Sequence, residues 1–316
     1  MTEEQNTEPS AYPIGARVCA ELAGSFLVCF AIYMICTFGT SIYGLDLAYI
    51  VVGTALAYAV VTAMLGRVSG GQFNPAITVA AILTGKTKVV AGILYVIVQV
   101  VGAIAAAGAV KWILPTSQTV TMKTWLTVNG YGTGSVSSAT TSRASVSFGI
   151  SMAIVVEVIA AIIIIAVAMR HTDANGKPHA TYAPVIGAAY GLGVAMTYTV
   201  TGAALNPARA TGIALFGQNQ GLSTQPLQQL WIFWLAPVLA AAIVALPIWR
   251  RNASRRCLRM RPTTRRRTLR RMHMTSPWTR RSMRRPRFRQ RIQNSDGAKY
   301  NRSSPSPKPM PIMASN

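Results

Sequence analysis

Acidic residues are scarce in this chain, which has eight Asp and Glu among 316 residues. Only Glu21 and Glu157 fall within its long apolar segments. A transporter that couples its substrate to an ion needs further ionisable side chains inside the membrane to bind that ion. The shortage of acidic residues therefore argues against a secondary active transporter. A flux of solute that depends on a sodium or proton gradient would instead indicate such a transporter.

Histidine and cysteine are also rare, with three His and four Cys in the whole sequence. The histidines lie apart in polar stretches, at His171, His179 and His273. No two cysteines have the Cys-x-x-Cys spacing of a metal or redox site. We therefore expect no enzyme activity, no cofactor and no metal, because no Ser/His/Asp or Cys/His grouping can be assembled within the apolar segments.

Positive charge is concentrated at one end of the chain, whose net charge is +23. Residues 1–249 hold 10 Lys and Arg against 7 Asp and Glu, whereas residues 250–316 hold 21 against one. The second part has too few large apolar residues to build a core, so we predict a disordered tail there. We assign 1–13 to a cytoplasmic N-terminal segment, 14–249 to a membrane domain and 250–316 to a basic cytoplasmic tail.

The basic tail has three interpretations. Its Arg clusters directly follow the last apolar segment, where basic residues attract anionic lipid by about 1 kcal/mol each. A solvated tail without a role fits the composition equally well. Of the 21 basic residues in this segment 19 are Arg, a bias that also fits a segment translated from a shifted reading frame of the gene. We expect no nucleic acid as a partner.

Six segments are apolar enough and long enough to cross a bilayer as helices, which takes about 20 residues each. They are 16–38, 47–65, 89–112, 147–169, 181–200 and 229–249. With six spans both termini lie on one side, and the connections on that side carry most of the basic residues of the body. The positive-inside rule therefore places both termini in the cytoplasm.

A short motif occurs twice, as Asn74-Pro75-Ala76 and as Asn206-Pro207-Ala208, 132 positions apart. Each copy is followed by about ten small and apolar residues, too few to cross a bilayer of roughly 30 Å. Proline suits the first position of a helix, and asparagine suits the N-cap before it. The motifs therefore predict two half-spanning helices, roughly 74–85 and 206–216, that meet in the middle of the membrane.

The two motifs belong to an internal repeat, with halves at about 14–130 and 147–249. Each half contains three spans, an odd number, so the second half enters the membrane from the opposite face. The amide NH₂ groups of Asn74 and Asn206 would converge at the midplane with the positive ends of both short helices, attracting the oxygen of a neutral polar molecule. We therefore predict an all-α membrane channel with six transmembrane helices, two half-spanning helices and an inverted repeat.

Three charged residues have predicted roles in this channel. Arg209 lies three positions after Asn206, where its guanidinium supplies donors to a passing oxygen and a barrier to cations. Glu21 and Glu157 occupy equivalent places near the start of the first and fourth spans. They either accept hydrogen bonds from the non-helical backbone before each motif or relay protons. We favour the first role, because buried N–H groups need acceptors.

Over about residues 14–249 the sequence resembles the major intrinsic proteins, the family of aquaporins and aquaglyceroporins. The resemblance rests on the paired motifs, the Arg after the second one, the Glu of spans one and four, Ser69-Gly70-Gly71 and Gln99-x-x-Gly102. It implies the aquaporin-like fold and a homotetramer in the cell membrane, with one pore in each subunit. It also implies passive conduction of water or small neutral solutes.

The resemblance further implies the residues of a selectivity filter. Counting back from the motifs gives Thr54 and Val194, and Ala203 and Arg209 complete the set. Water channels usually have an aromatic ring and a His at the first two positions, so we expect a wider constriction in this protein. If the register shifts, Tyr58 reaches the constriction instead of Thr54, although it lies about one helical turn away.

Two further sequence features bear on the choice of solute. Phe233-Trp234 is similar to aquaporins, and Ala210 replaces the Asp that glycerol channels carry directly after the Arg of the second motif. We therefore expect a passive water channel with a wide filter that also admits glycerol, urea or ammonia. The alternative is an aquaglyceroporin-type solute facilitator.

Overall fold

The computed structural model describes residues 12–41, 47–136, 138 and 143–259. Most of the predicted N-terminal segment, and the predicted tail beyond Arg259, therefore lie outside the described residues.

The long apolar runs form long helices. In the described residues these are α1 (Ile14–Ser41), α2 (Leu47–Ser69), α4 (Val89–Ile113), α6 (Ile150–Arg170), α7 (Tyr182–Thr201) and α9 (Pro226–Arg259). All six are long and apolar enough to cross a membrane. Large Val, Leu and Ile side chains are exposed on their outward faces, as expected for contact with lipid. The predicted all-α fold with six spans is confirmed.

Two short helices begin at the prolines of the motifs, α3 (Pro75–Leu83) and α8 (Pro207–Gly217). They have 9 and 11 residues. At a rise of 1.5 Å per residue they reach about 14 Å and about 17 Å, roughly half of the apolar thickness of a bilayer. The two predicted half-spanning helices are therefore present.

The last helix extends further than predicted. The predicted span ends at 249, whereas α9 continues to Arg259. Arg, Ala and Leu, which favour helix, supply most of the added turns. The first ten residues of the segment assigned to the tail, 250–259, are thus helical.

The packing of the helices follows the repeat. The half-helix α3 packs against α9, and α8 packs against α4, so each lies beside the last span of the other half. The second spans of the two halves, α2 and α7, pack against each other. A Cβ atom at Gly187 would lie 2.5 Å from the carbonyl oxygen of Ala55, so glycine allows the two backbones to approach closely at this crossing.

The connection between α4 and α6 is only partly a surface loop. Residues 113–146 are rich in Ser, Thr and Gly and contain no apolar run, which predicts a loop outside the bilayer. The structure instead forms the short helix α5 (Met122–Trp125) there and buries Trp125 and Asn129. Thr37 Oγ1 in α1 donates to the carbonyl oxygen of Trp125 at 3.0 Å. This contact anchors the connection to the end of α1, next to the site described below.

Candidate functional site

The two half-helices meet at their N-termini. Asn74 caps α3, since its side-chain oxygen accepts a hydrogen bond from the backbone N–H of Ala76 at 2.8 Å. Asn206 caps α8 in the same way, through the backbone N–H groups of Ala208 and Arg209. Because the oxygen of each side chain is used as an acceptor, its NH₂ group points away from its own helix.

Each asparagine amide reaches the other motif. Nδ2 of Asn74 donates to the carbonyl oxygen of Leu205 at 2.9 Å, and Nδ2 of Asn206 donates to that of Phe73 at 2.8 Å. Phe73 and Leu205 have φ angles of 45° and 52°. This left-handed conformation costs about 1–3 kcal/mol for residues other than glycine. The strained backbone directs each carbonyl toward the opposite asparagine, so the two half-helices are joined by a reciprocal pair of hydrogen bonds.

Two tyrosines accept the second hydrogen of these amides. The hydroxyl oxygen of Tyr190 lies 2.8 Å from Nδ2 of Asn74, and that of Tyr58 lies 3.0 Å from Nδ2 of Asn206. The two rings stack with their centroids 3.3 Å apart and their planes within 2°. Sequence analysis considered Tyr58 only as a substitute for Thr54 and missed Tyr190. An aromatic residue in an apolar run carries no local signal that separates a pore position from core packing.

The carboxylate of Glu21 lies against the backbone that precedes the first motif. It accepts hydrogen bonds from the backbone N–H groups of Gln72 at 3.0 Å and Phe73 at 2.8 Å. The side chains of Ser69 and Gln99 donate to the same carboxylate at 2.6 and 2.8 Å. Four donors therefore surround a fully buried acceptor.

Glu157 has the equivalent position in the second half. It accepts hydrogen bonds from the backbone N–H groups of Ala204 at 3.0 Å and Leu205 at 2.8 Å, and from the hydroxyl of Thr201 at 2.6 Å. These hydrogen bonds offset the desolvation cost of the buried carboxylate, and they also satisfy the buried N–H groups of the non-helical backbone. Both carboxylates thus have the geometry of acceptors for the loops that lead to the motifs.

Arg209 is buried, and its two terminal nitrogens are held by the surrounding chain. Nη1 donates to the side-chain oxygen of Asn129 at 2.9 Å and to the carbonyl oxygen of Ala203 at 2.7 Å. Nη2 donates to the carbonyl oxygen of Gly202 at 3.1 Å. Sequence analysis missed Asn129, which lies in the long polar connection. That connection is rich in Ser, Thr and Gly, and no local signal in it marks one residue as a partner of Arg209.

The four predicted filter residues line one cavity. Thr54, Val194, Ala203 and Arg209 border this cavity, together with the two stacked tyrosines. Oγ1 of Thr54 and Nε of Arg209 are buried and have no hydrogen-bond partner among the described residues. An unpaired buried polar atom costs about 1–3 kcal/mol, so both atoms are suited to bind a polar molecule that enters this space.

A second cavity lies beside the connections that follow α3 and α6. Lys86, which lines it, donates from Nζ to the carbonyl oxygens of Thr172 at 2.7 Å and Asp173 at 2.6 Å. Partial burial lowers the pKa of Lys86, while the charge of Asp173 opposes this shift. Because Lys86 joins the two connections, both lie on the same face of the molecule.

The arrangement favours small neutral molecules over ions. Two helix N-termini, two side-chain amides and one guanidinium present positive potential along a narrow buried region, which repels cations and attracts oxygen atoms. The part of the chain that the structure describes contains no group of three His, Cys, Asp or Glu able to hold a metal ion.

Comparison with known proteins agrees with a channel for small neutral molecules. A family model described as Major intrinsic protein matches residues 10–247.

The chain belongs to the major intrinsic protein family. It is therefore a multi-pass membrane protein and a passive channel for water or other small neutral solutes, as the resemblance of its motifs implied. The family is one of channels rather than of enzymes.

Individual relatives support the assignment. The chain is 32% identical over 232 residues to Aquaporin Z of Photorhabdus laumondii, covering 72% of this chain and 93% of that protein. It is also 32% identical over 216 residues to Aquaporin Z of Brucella melitensis, covering 67% of this chain and 83% of that protein. The X-ray structure of the aquaglyceroporin from Plasmodium falciparum has the same fold, with a TM-score of 0.59. That match has 19% identity and covers 75% of this chain and 95% of the other.

Proposed function

We propose that water is the main permeant of this channel and that it crosses in single file, driven only by its own gradient. The proposal rests on the cavity beside Arg209, where Oγ1 of Thr54 and Nε of Arg209 are buried without partners among the described residues. A hydroxyl and an N–H donor from two residues that line the same cavity suit a small molecule that both donates and accepts hydrogen bonds, as water does. The similarity to proteins named Aquaporin Z supports the choice of water.

We propose Thr54, Val194, Ala203 and Arg209 as the outer selectivity filter, and the paired motifs as the polar centre of the pore. Three of the four filter side chains are small, so this end admits neutral solutes such as glycerol, urea or ammonia into the cavity. The guanidinium of Arg209 repels cations there. An aquaglyceroporin-type facilitator is the second candidate, and the same small side chains favour it.

We further propose a homotetramer in the cell membrane, with both termini in the cytoplasm. The exposed apolar faces of the spans fit contact with lipid and with neighbouring subunits. The basic connections that meet at Lys86 lie on one face, which the positive-inside rule assigns to the cytoplasm. We also propose anionic lipid as a partner of the Arg-rich segment beyond the described residues.

Stopped-flow light scattering of proteoliposomes tests the water channel. Vesicles that contain the protein should change volume several-fold faster than empty vesicles after an osmotic step, and an enclosed pH-sensitive dye should show no added proton leak. Unchanged volume kinetics with folded protein in the vesicles would refute conduction. The same vesicles in a glycerol gradient report on neutral solutes.

A further inference from the structure

We propose that Tyr58 and Tyr190 form a second selectivity element where the half-helices meet, passing water and holding back larger neutral solutes such as glycerol. The inference rests on the water-channel function proposed above. It assigns the size limit of the channel to this pair of tyrosines instead of to the outer filter. Three observations on the two side chains carry it.

First, the hydroxyls occupy the donors that a permeating molecule would use. An asparagine side chain has two N–H donors. One donor of Asn74 is taken by a backbone carbonyl and the other by the Tyr190 hydroxyl. Asn206 divides its donors in the same way, between a backbone carbonyl and the Tyr58 hydroxyl. A molecule in transit therefore reaches either amide only by taking the place of a tyrosine hydroxyl.

Second, the rings leave no space between them. Their centroids lie 3.3 Å apart, and both side chains are buried, at 2% exposure for Tyr58 and 1% for Tyr190. Carbon atoms in contact are about 3.5–4.0 Å apart, so not even a water molecule fits between the rings as they stand. Passage requires the rings to separate or to turn aside.

Third, the two tyrosines border the cavity beside Arg209, called the outer cavity below. Both tyrosines line the space beside Arg209, and neither lines the cavity beside Lys86. The two cavities share no lining residue. Because the stacked rings border one cavity and their hydroxyls contact the asparagine amides, we place them in the path between the two cavities.

The geometry discriminates by size as well as by polarity. A water molecule is small and can replace one hydroxyl at an amide with the same hydrogen bonds, so a modest movement of one ring admits it. Glycerol has a three-carbon skeleton and needs both rings to move apart. The cost of opening thus rises with the size of the solute, even though three of the four outer-filter side chains are small.

Removing both rings tests the proposal. Tyr58→Val/Tyr190→Val should raise glycerol permeability by about tenfold or more, the scale on which pockets discriminate by size. Tyr58→Phe/Tyr190→Phe keeps the rings but frees one donor on each asparagine. It should still hold back glycerol and should conduct water faster than the wild type, because the rings are no longer tethered. Tyr49→Val is the matched control, since Tyr49 is on the same helix but 41% exposed on the outer face.

The outcomes separate this inference from the proposed function. A wild-type protein that conducts no water refutes the channel itself. A wild type that conducts water and also passes glycerol as fast as the double Val variant refutes the tyrosine element alone. So does a double Val variant that conducts water but still excludes glycerol. If the tyrosines only pack the core, the Phe variant loses thermal stability without any gain in water permeability.

Discussion

Asn129 binds Arg209 across 80 residues of sequence, with Oδ1 of Asn129 2.9 Å from Nη1 of Arg209. Nδ2 of Asn129 donates in turn to the carbonyl oxygens of Thr201 and Gly202, at 3.1 and 2.8 Å. The connection that sequence analysis placed outside the bilayer thus fixes the guanidinium beside the outer cavity. The position of the charge depends on a side chain from a distant loop.

Replacing Asn129 by Ala should therefore destabilise the protein. A hydrogen bond to a charged group contributes about 1.5–3 kcal/mol, and the buried guanidinium would lose one acceptor. We expect a lower unfolding temperature in detergent micelles, followed by circular dichroism. Asn175→Ala is the matched control, because Asn175 is exposed in the connection between α6 and α7. An equal effect of both substitutions would contradict a specific role for Asn129.

The carboxylate of Glu157 offers a test between its two predicted roles. Glu157→Gln replaces one oxygen by an NH₂ group. At one oxygen position this group would face the backbone N–H of Ala204, and at the other that of Leu205, so in either orientation two donors would oppose each other. We expect a lower unfolding temperature and slower water permeation, and the same for Glu21→Gln in the first half. A proton relay would behave differently: stability and water flux would be kept, and only a proton flux would change.

The crossing of α2 and α7 should tolerate no side chain at Gly187. A Cβ there would lie 2.5 Å from the carbonyl oxygen of Ala55 and 2.7 Å from the Cβ of Ala59. Forcing a methyl group into such a contact costs about 1–3 kcal/mol, so Gly187→Ala should lower the unfolding temperature. Gly15→Ala is the control, because nothing lies within 4 Å of its added Cβ. Since alanine favours helix, this control should be neutral or slightly stabilising.

The spans and the half-helices could be predicted because their signals are local. Length and apolarity identify a membrane helix, and Asn74-Pro75 and Asn206-Pro207 combine an N-cap with a first-turn proline. The inverted repeat then followed from counting spans. Where the local signal was weak the prediction was less accurate, as at the end of α9, which extends past 249 to Arg259.

The contacts of the site could not be read in the same way, because they join distant parts of the chain. Asn129 lies in a connection rich in Ser, Thr and Gly, where nothing marks one polar residue as buried. Tyr190 lies in an apolar run where packing and pore positions look alike. Its role emerges only when α7 crosses α2 and the ring meets Tyr58. The polar centre of the channel therefore depends on tertiary contacts, which local sequence patterns do not show.

The outer filter can be tested on its own once the Tyr58–Tyr190 pair has been removed. In the Tyr58→Val/Tyr190→Val background glycerol reaches the outer cavity and should pass through it, so any remaining limit is set by Thr54, Val194, Ala203 and Arg209. Adding Thr54→Phe and Val194→His places two large side chains in the cavity beside the guanidinium. We expect glycerol flux in proteoliposomes to fall to the level of empty vesicles while water flux continues. Glycerol flux that survives both substitutions would show that the constriction lies elsewhere along the pore.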